Sequence, residues 1–493
     1  MSSTAKGFVK VDDQHALLVD ESGGASAAPK RGAVRPQDGA RCWRALALAL
    51  GALSGLLAVA LGAALSKTTL SSYNPGWVSP RVACSMHGTY EDGLCRCDDC
   101  WDGARCEFAI TASSPGMTSN GSAAPCVSQA DTGTPYLFED YWIERMVTND
   151  ARDAVAEILP YYHIGYGSQI GAGSCGGFGF GSGECPDALE SEVRALHKAV
   201  GNFDPDGFEF VAATGSTQLI AAVAFALAGG ETAASHFPYY SGHAGAVEYF
   251  NGTWEAAATA LSTKAPNVEF VTSPSNPDGA MVEPEVPGAI PVWDNAYFWP
   301  HFTPVYRGRE AKVAAGDGVA LFTLSKLTGH ASSRVGWAWT KNATLAQSLR
   351  GFCSVNGGMS RESNLRASEI LASERRRGYP VLGWAGRLMR ARWDALEDGL
   401  RGSACLALQS RGEEARDAWS GDVHKPAPPY AWVECKGRMA EDCYGALLEG
   451  GVKGRPGPQY GGGKEHARVE LLMSDANFQT MLPKLLGVGE GDC

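Results

Sequence analysis

The segment 319–339, VALFTLSKLTGHASSRVGWAW, constrains the fold of this chain more than any other. Its apolar run 319–324 has the composition of a buried strand, and the run ends at Ser325 and Lys326. A lysine at the mouth of a buried strand loses hydration energy unless it is neutralised or bonded to another group. An imine with an aldehyde would do both, because lysine amines are nucleophiles for carbonyl compounds. The alternative is a hydrated lysine at a strand end, the commoner situation for a lysine considered alone.

Two apolar runs upstream end in polar residues that suit the same chemistry. Residues 268–272 are a strand candidate that precedes Asn276, and residues 289–293 are another that precedes Asp294, with Tyr297 close behind. A carboxylate near a pyridine nitrogen keeps the nitrogen protonated and makes the ring an electron sink. Ligand sites of open α/β sheets lie at the carboxyl ends of strands. The set therefore indicates a pyridoxal 5'-phosphate (PLP) site, against the alternative of unrelated polar loop ends.

Two further features suit the phosphate of such a cofactor. Arg334 offers a bidentate fork, and Ser325 stands beside the lysine. Residues 208–213 predict a strand that turns into an apolar helix, 219–228. The amides of such a turn can bind an anion at the helix N-terminus. The turn contains Gly215, Ser216 and Thr217. The aromatic pair that follows this helix includes Tyr240, which could stack on a pyridine ring or pack in the core.

The N-terminal part predicts a membrane anchor. Residues 1–44 are largely polar and predict a disordered cytoplasmic tail, whereas residues 45–65 contain no charge and are long enough to cross a bilayer. Four arginines precede this run and only Lys67 closely follows it, so the positive-inside rule places the rest of the chain in the lumen or outside the cell. The alternative is a cleaved signal peptide, although the run is long and starts unusually late for one.

Residues 84–126 contain the densest group of the chain's 14 cysteines. Zinc ligation and disulfide bonding compete as interpretations, and the even count with the lumenal context favours three bridges and no metal. Spacing alone leaves about 15 pairings open. The module either binds a partner or is a structural appendage. Its cysteines are Cys84, Cys95, Cys97, Cys100, Cys106 and Cys126.

Several other features bear on compartment and partners. A net charge of -12 argues against binding to nucleic acid. The sequons at Asn120, Asn251 and Asn342 would accept glycans in a lumenal protein. The glycine-rich stretch 165–183 predicts either a surface loop or an active-site flap, which Cys175 and Cys185 could bridge.

The remaining segments of the sequence predict several helices and a small C-terminal domain. Helical periodicity covers 345–353, 361–377 and 382–400, and residues 136–160 also look helical. Residues 431–435 and 469–473 predict strands, and Ser474 would cap a last helix with a kink at Pro483. Arg468, which would open the final strand, is a candidate clamp for a substrate carboxylate. The alternative is an exposed strand arginine.

From about Cys84 to its end, the chain resembles the alliinase and plant tryptophan aminotransferase family, PLP enzymes with the aspartate-aminotransferase fold. The resemblance implies an α/β protein of PLP-dependent transferase fold type I, with a large domain over 127–400 and a small α+β domain over 401–493. The large domain would contain a mostly parallel seven-stranded sheet, preceded by the membrane helix and an EGF-like module. The matching stretches are TGSTQL (214–219), VTSPSNPDG (271–279), DNAYFWPHFTPV (294–305), LFTLSKLTGHASSRVGWA (321–338) and EHARVELL (465–472).

The resemblance implies that Lys326 is the Schiff-base lysine, that Asp294 pairs with the pyridinium nitrogen and that Arg468 binds the substrate carboxylate. Asn276 and Tyr297 would bond the 3-oxygen of the cofactor. The implied phosphate ligands are Ser325, Arg334, the amides of Gly215, Ser216 and Thr217, and Tyr166 from a neighbouring subunit of a homodimer. Tyr240 would stack on the ring. The implied EGF-like pairing is Cys84–Cys95, Cys97–Cys106 and Cys100–Cys126, and the spacing of Cys435 and Cys443 resembles that of alliinase.

Two reactions of the family remain open. TGSTQL and SPSNPDG look closer to the aminotransferases, whereas the EGF-like module looks like alliinase. We expect an aminotransferase that acts on an aromatic, tryptophan-like L-amino acid with a 2-oxo acid as acceptor. The alternative is a carbon–sulfur lyase that cleaves cysteine S-conjugates or sulfoxides by β-elimination. A more distant alternative is an inactive, membrane-tethered interaction protein.

Overall fold

A computed structural model describes residues 188–256, 266–315, 317–355, 358–490 and 493, with shorter pieces at 88–91, 94–97, 101–102, 106, 108–109, 127–131, 133–138 and 141–142. The chain divides into Met1–Gly76 and Trp77–Cys493, and every described residue lies in the second unit. The predicted tail, the apolar run 45–65 and the glycine-rich stretch with Tyr166 lie outside the described residues, as do Cys84, Cys100, Cys126, Cys175, Cys185 and Asn120. None of the helices in the described ranges is long and apolar enough to span a bilayer.

The described pieces of the cysteine-rich region form two small hairpins. Strand β1 (Gly88–Glu91) pairs with β2 (Leu94–Cys97), and β3 (Trp101–Asp102) pairs with β4 (Phe108–Ala109), both antiparallel. Cys97 is bonded to Cys106, as the resemblance implies. Cys95 is also in a disulfide. The region is therefore held by bridges of the kind that a segment without an apolar core needs.

A seven-stranded sheet forms the centre of the molecule. Its spatial order is β6-β12-β11-β10-β9-β7-β8, and β12 runs antiparallel to its neighbours while the other six strands are parallel. The sheet is mostly parallel, as predicted, so six carboxyl ends lie at one edge. Strand β5 (Ser128–Gln129) precedes it in the chain. The bounds are β6 Glu209–Thr214, β7 Thr232–Ser235, β8 Thr253–Ala256, β9 Val268–Thr272, β10 Ile290–Asp294, β11 Val319–Thr323 and β12 Val335–Thr340.

Apolar clusters cover both faces of this sheet. Along β11, Ala320 and Phe322 belong to one buried cluster, and Val319 and Leu321 to the other. Burial on both sides explains why the strands read as continuous apolar runs rather than alternating ones. The flanking helices are α1 Ala188–Val200, α2 Gly215–Ala228, α3 Ser241–Tyr249, α4 Arg309–Ala314, α5 Leu324–Leu327, α6 Ala343–Ser354, α7 Arg361–Arg376 and α8 Pro380–Gly399.

The C-terminal part adds an antiparallel sheet of order β13-β16-β19-β18, while β17 pairs with β5 near the start of the described segment 127–142. A separate hairpin joins β14 to β15. The elements are β13 Leu406–Leu408, β14 Ala415–Arg416, β15 Val423–His424, β16 Tyr430–Cys435, α9 Cys443–Glu449, β17 Val452–Lys453, β18 Arg455–Pro456, β19 His466–Glu470 and α10 Asp475–Gly489.

The prediction of a final strand at 469–473 was wrong by three residues. Strand β19 ends at Glu470, so Arg468 lies in its middle rather than at its start. The apolar residues after Glu470 are buried because they pack against the N-terminal segment, where Leu137 N donates to Leu472 O (2.7 Å). Ser474 caps the last helix as predicted, since its side chain accepts from Asn477 N.

The described start of the predicted helix 136–160 is a short 3-10 turn, Tyr136–Phe138. It packs against the loop that contains the lysine, because an added Cβ on Gly329 would lie 2.6 Å from Phe138 Cβ. Gly329 also has φ +86, which disfavours any other residue. Trp142 Nε1 donates to Thr328 O (2.8 Å). The N-terminal segment therefore supports the lysine loop, a relation that the sequence does not reveal.

We expect the disulfide between Cys405 and Cys493 to contribute strongly to stability. It closes a loop with a sequence separation of 88 residues and ties the C-terminus to the start of β13. Replacing both cysteines by serine should lower the free energy of unfolding by about 2–5 kcal/mol, because the unfolded chain regains the entropy of that loop. The measurement is urea unfolding under oxidising conditions. Equal stability of the variant and the parent protein would contradict the prediction.

His197 is a buried histidine in the aromatic core beneath the sheet. Its Nδ1 bonds Asn202 Oδ1 (2.8 Å) and its Nε2 accepts from Trp337 Nε1 (2.9 Å), so the ring is neutral with its proton on Nδ1. Burial lowers the pKa of His197 from 6.5 to about 4. The unfolded state therefore binds one more proton than the folded state between those pH values.

It follows that stability is lost as the pH falls from about 6.5 towards 4. A shift of this size is worth about 3 kcal/mol at pH 4 and nothing above pH 7. We expect His197→Gln to reduce the difference in unfolding free energy between pH 7 and pH 5, measured with urea. His424→Gln, in the small hairpin β14–β15, is the control. An unchanged pH dependence in the His197 variant would be inconsistent with a neutral buried ring.

Candidate active site

Lys326 lies at the carboxyl edge of the sheet, in the single-turn helix α5 that follows β11. Thr323 begins this turn, because its Oγ1 accepts from Ser325 N (3.2 Å). The Lys326 amine donates to the carbonyl of Gly133 in the N-terminal segment. On the other side, His301 Nε2 bonds the Lys326 carbonyl (2.9 Å), and burial lowers the pKa of His301 to about 4, so this ring donates as a neutral group.

Asp294 is the last residue of β10, and it is held by a histidine that the sequence analysis missed. His243 Nε2 donates to Asp294 Oδ2 (3.0 Å), and both side chains are buried. The His243 ring stacks on Phe270 with a centroid distance of 4.7 Å. Tyr240 contacts His243 edge to face (5.3 Å), which places a candidate stacking ring beside the carboxylate. His243 follows Tyr240 by three residues, and only the fold indicates its partner.

A chain of hydrogen bonds joins the residues predicted to surround the 3-oxygen of a cofactor. Asn276 Nδ2 donates to Tyr297 OH (3.2 Å), and Asn276 Oδ1 accepts from Arg468 (3.0 Å). Tyr297 OH is 3.0 Å from Tyr430 OH. Burial raises the pKa of Tyr297 well above its usual value, and Tyr430 adds to the rise. The Tyr297 phenol therefore remains protonated and is able to donate.

The predicted phosphate residues meet at the junction of β6, α2 and β12. Arg334 has left-handed backbone (φ 52), is exposed, and approaches Thr217 Oγ1 at 3.5 Å. An added Cβ on Gly215 would lie 2.6 Å from an Arg334 nitrogen, and one on Gly336 would lie 2.5 Å from Ser216 N. Two positions without side chains thus leave the amides of the turn and the guanidinium group close together. This arrangement suits a phosphate.

Arg468 is buried at the other end of the site. Its guanidinium lies over the ring of Tyr430 (3.9 Å) and near that of Tyr460 (5.0 Å). It donates to the Asp131 carbonyl (3.2 Å), while Gly133 N donates to Glu470 Oε2 (2.7 Å). The segment around Asp131 therefore runs between Lys326 and Arg468. The sequence gives little sign of this segment: among its described residues, Gly133 has left-handed backbone (φ +77).

The structure also describes the predicted C-terminal cysteine pair and two of the predicted glycosylation sites. Cys435 is bonded to Cys443. Asn251 is an exposed turn residue with φ 59. Asn342 instead caps helix α6 by accepting from Leu345 N (2.9 Å), and it donates to Asp317 (3.0 Å). Cys353, which is free and buried, has its pKa raised to about 11 by burial, so it is a poor nucleophile.

The donor set fits PLP. A protonated phenol and an amide stand where a ring oxygen would be bonded, a carboxylate is oriented by a histidine, and glycines open the anion-binding turn. An amine and a buried guanidinium flank the same edge. Within the described ranges no group of histidine, cysteine or acidic residues forms a metal cluster.

Comparisons of the sequence show what this chain is similar to. The sequence profile of the allinase family matches residues 128–488, and the profile of a teneurin-like EGF domain matches residues 81–109. Tryptophan aminotransferase-related protein 3 of Arabidopsis thaliana is 28% identical over 84% of this chain and 91% of its own length. Tryptophan aminotransferase-related protein 2 of Oryza sativa subsp. japonica is 30% identical over 73% of each chain. Alliin lyase 1 of Allium sativum is 25% identical over 81% of this chain and 82% of its own.

Solved structures give the fold. An aspartate aminotransferase from Thermus thermophilus superposes with a TM-score of 0.54 at 15% identity, covering 73% of this chain and 91% of that one. A histidinol-phosphate aminotransferase from Clostridium acetobutylicum gives 0.53 at 11% identity, covering 73% and 98%. The chain therefore has the PLP-dependent transferase fold of type I, with a mixed sheet.

Proposed function

This chain belongs to the alliinase (allinase) family, and from that premise we propose that it is a PLP-dependent aminotransferase that acts on an aromatic, tryptophan-like L-amino acid. The observation that carries the proposal is the hydrogen-bonded chain from Arg468 through Asn276 to Tyr297. It supports the proposal because it holds Arg468, the proposed carboxylate-binding residue, beside Asn276 and Tyr297. The aromatic surroundings of Arg468 favour a substrate with an aromatic side chain.

Each residue would contribute one step. When bound, PLP supplies an electron sink for the negative charge that develops at the substrate Cα. Arg468 binds the α-carboxylate and orients the Cα–H bond, and Lys326 Nζ takes the Cα proton as general base. Tyr297 and Asn276 would donate to the 3-oxygen, and Asp294, which His243 holds, would pair with the ring nitrogen. Ser325, Arg334 and the turn amides bind the phosphate.

A second reaction has its own support. Alliin lyases are among the relatives, and the EGF-like match resembles the module of that enzyme type. The same proton transfer by Lys326 would then lead to loss of a sulfur group from the β-carbon. The difference between the two reactions lies in whether an acceptor is needed.

The test is incubation of the purified protein with a panel of L-amino acids and cysteine S-conjugates, with and without pyruvate or 2-oxoglutarate. We expect the 2-oxo acid of an aromatic amino acid only when an acceptor is present. Pyruvate and ammonia formed from an S-conjugate without an acceptor would instead establish the lyase. A colourless protein that does not bind PLP would indicate an inactive member.

The EGF-like match indicates a protein of the secretory pathway or the cell exterior. We extend this to a single-pass topology with residues 45–65 in the membrane, a cytoplasmic N-terminus and a lumenal catalytic part. Protease added to intact microsomes should remove the N-terminal tail and spare the catalytic part. Secretion of a chain cleaved after residue 65 would overturn this topology.

We also propose a homodimer in which Tyr166 contacts the neighbouring subunit's phosphate site. Mass measurement in solution tests the assembly. A monomer with full activity would exclude a shared site.

A further inference from the structure

A second arginine stands directly beside the carboxylate clamp. Arg455 on β18 and Arg468 on β19 are register partners in the antiparallel pair. Side chains of directly opposite residues project from the same face of a sheet, and like charges in such a pair are destabilising. Both guanidinium groups donate to the Asp131 carbonyl, Arg455 through its Nε. The two cations are therefore close neighbours, although their repulsion costs stability.

No carboxylate among the described residues lies within ion-pair distance of either arginine. The nearby Asp131 carboxylate pairs with Lys453 (3.3 Å), and Glu470 binds the Gly133 amide. Glu470 also stabilises the Arg468 cation electrostatically, whereas Arg455 has no carboxylate partner among the described residues. The Arg455 charge therefore favours binding of an anion.

Arg468 reaches the residues predicted to bind the cofactor, because it donates to Asn276 Oδ1 (3.0 Å), and Arg455 lies opposite Arg468 in the sheet. Burial raises the pKa of the Tyr240 phenol, Asp294 adds to the rise, and the charges of Arg468 and Arg455 oppose it. The Arg468 and Arg455 charges also oppose the rise of the Tyr460 pKa that burial causes, and the Tyr460 ring lies near the Arg468 guanidinium. Arg455 therefore belongs to the same group of side chains as Arg468, because the two are register partners and share the Asp131 carbonyl.

The two arginines differ in burial. Arg468 is 3% exposed and Arg455 is half-buried. The buried Arg468 is suited to bind the carboxylate that all substrates share. Arg455 can remain hydrated when the substrate has no second carboxylate. When a second carboxylate is present, the terminal nitrogens of Arg455 can turn towards it.

We propose that Arg455 is a second carboxylate-binding residue, so that the site takes a dicarboxylic 2-oxo acid as its preferred amino-group acceptor. The proposal rests on the aminotransferase function above and adds the class of its second substrate. Arg468 binds the carboxylate next to the reacting carbon, and Arg455 binds the distal one by its fork. An aromatic donor occupies the same space with its ring over the aromatic side chains and leaves Arg455 in water.

The test compares 2-oxoglutarate with pyruvate as acceptors for one aromatic donor, using the holoenzyme. We expect the parent protein to favour 2-oxoglutarate in kcat/KM. In Arg455→Met, kcat/KM for 2-oxoglutarate should fall roughly 30-fold or more, with little change for pyruvate, because only the former loses a charged partner. Arg455→Lys should recover part of the loss, since it restores charge without the fork.

Arg416→Met is the matched control, because it removes one exposed arginine from the separate hairpin β14–β15. It should leave the ratio between the acceptors unchanged. If Arg455→Met lowers kcat/KM equally for both acceptors, Arg455 only anchors the Asp131 segment and the proposal is overturned. Unchanged kinetics with both acceptors would also overturn it.

A binding measurement separates this proposal from the aminotransferase function. Succinate and butyrate are unreactive acids of similar length that differ by one carboxylate. We expect succinate to bind the holoenzyme at least about 10-fold more tightly than butyrate, with the preference lost in Arg455→Met. If no acceptor supports turnover, the function fails while the succinate preference still decides the role of Arg455. Equal binding of the two acids to the parent protein would refute that role.

Discussion

Replacing Lys326 by alanine is expected to remove activity almost completely, by about 10⁴-fold or more in kcat, because one amine serves as both nucleophile and proton carrier. The fold should survive, because the Lys326 amine donates only to the Gly133 carbonyl among the described residues, and a water molecule can donate to that carbonyl instead. The measurement is turnover, together with the visible absorbance of the protein after PLP is added. We expect that absorbance to lose the band of the lysine-bound form.

One further variant and one rescue experiment make this result specific. Lys341→Ala removes an exposed lysine just after β12 and should leave both turnover and absorbance unchanged. Added methylamine should restore part of the activity of Lys326→Ala, because a small free amine can carry the proton in place of the side chain. Full activity in Lys326→Ala would rule out the proposed chemistry for either reaction.

Replacing Asp294 by asparagine is expected to lower kcat by about 10³-fold, because a neutral amide no longer stabilises positive charge at a ring nitrogen. Asparagine has nearly the same shape and can still bond His243, whose Nε2 lies 3.0 Å from the carboxylate. The Asp294 substitution should therefore change the chemistry more than the packing. Steady-state kinetics with the preferred donor and acceptor is the measurement.

Asp417→Asn is the control for the loss of a buried carboxylate. Asp417 is as buried as Asp294, and it accepts from Val305 N (3.0 Å) and from Ser420 N (2.9 Å), with no hydrogen bond to Lys326 or Asp294 among the described residues. We expect its substitution to lower the stability of the protein while the folded fraction keeps its kcat. Equal losses of kcat in both variants would mean that Asp294 acts through the fold and not through a cofactor.

The sequence predicts the strand ends well, for a physical reason. Strands buried on both faces are short apolar runs, and the polar residue that follows each run marks its carboxyl end. Asn276, Asp294 and Lys326 were therefore identifiable without coordinates, and their order along the chain matches the order of strands β9, β10 and β11 across the sheet.

Other features could not be predicted, because they depend on contacts between distant parts of the chain. His243 has no distinguishing pattern, and its role follows from the neighbouring positions of α3 and β10. The strand of Arg468 was predicted too late because the apolar, buried run continues past the end of β19, where Leu472 O accepts from Leu137 N of the N-terminal segment. The bridge between Cys405 and Cys493 joins residues that no local spacing connects.

By itself the sequence indicated PLP chemistry, through an amine, a carboxylate and an amide at successive strand ends and through the resemblance of its motifs to one family. Only the tertiary structure decided how the site is closed. It brings Asp131 and Gly133 between Lys326 and Arg468, and it sets Arg455 opposite Arg468 across two strands. The reason is that strand ends are encoded by local burial, whereas register and segment packing arise from the free energy of the whole fold.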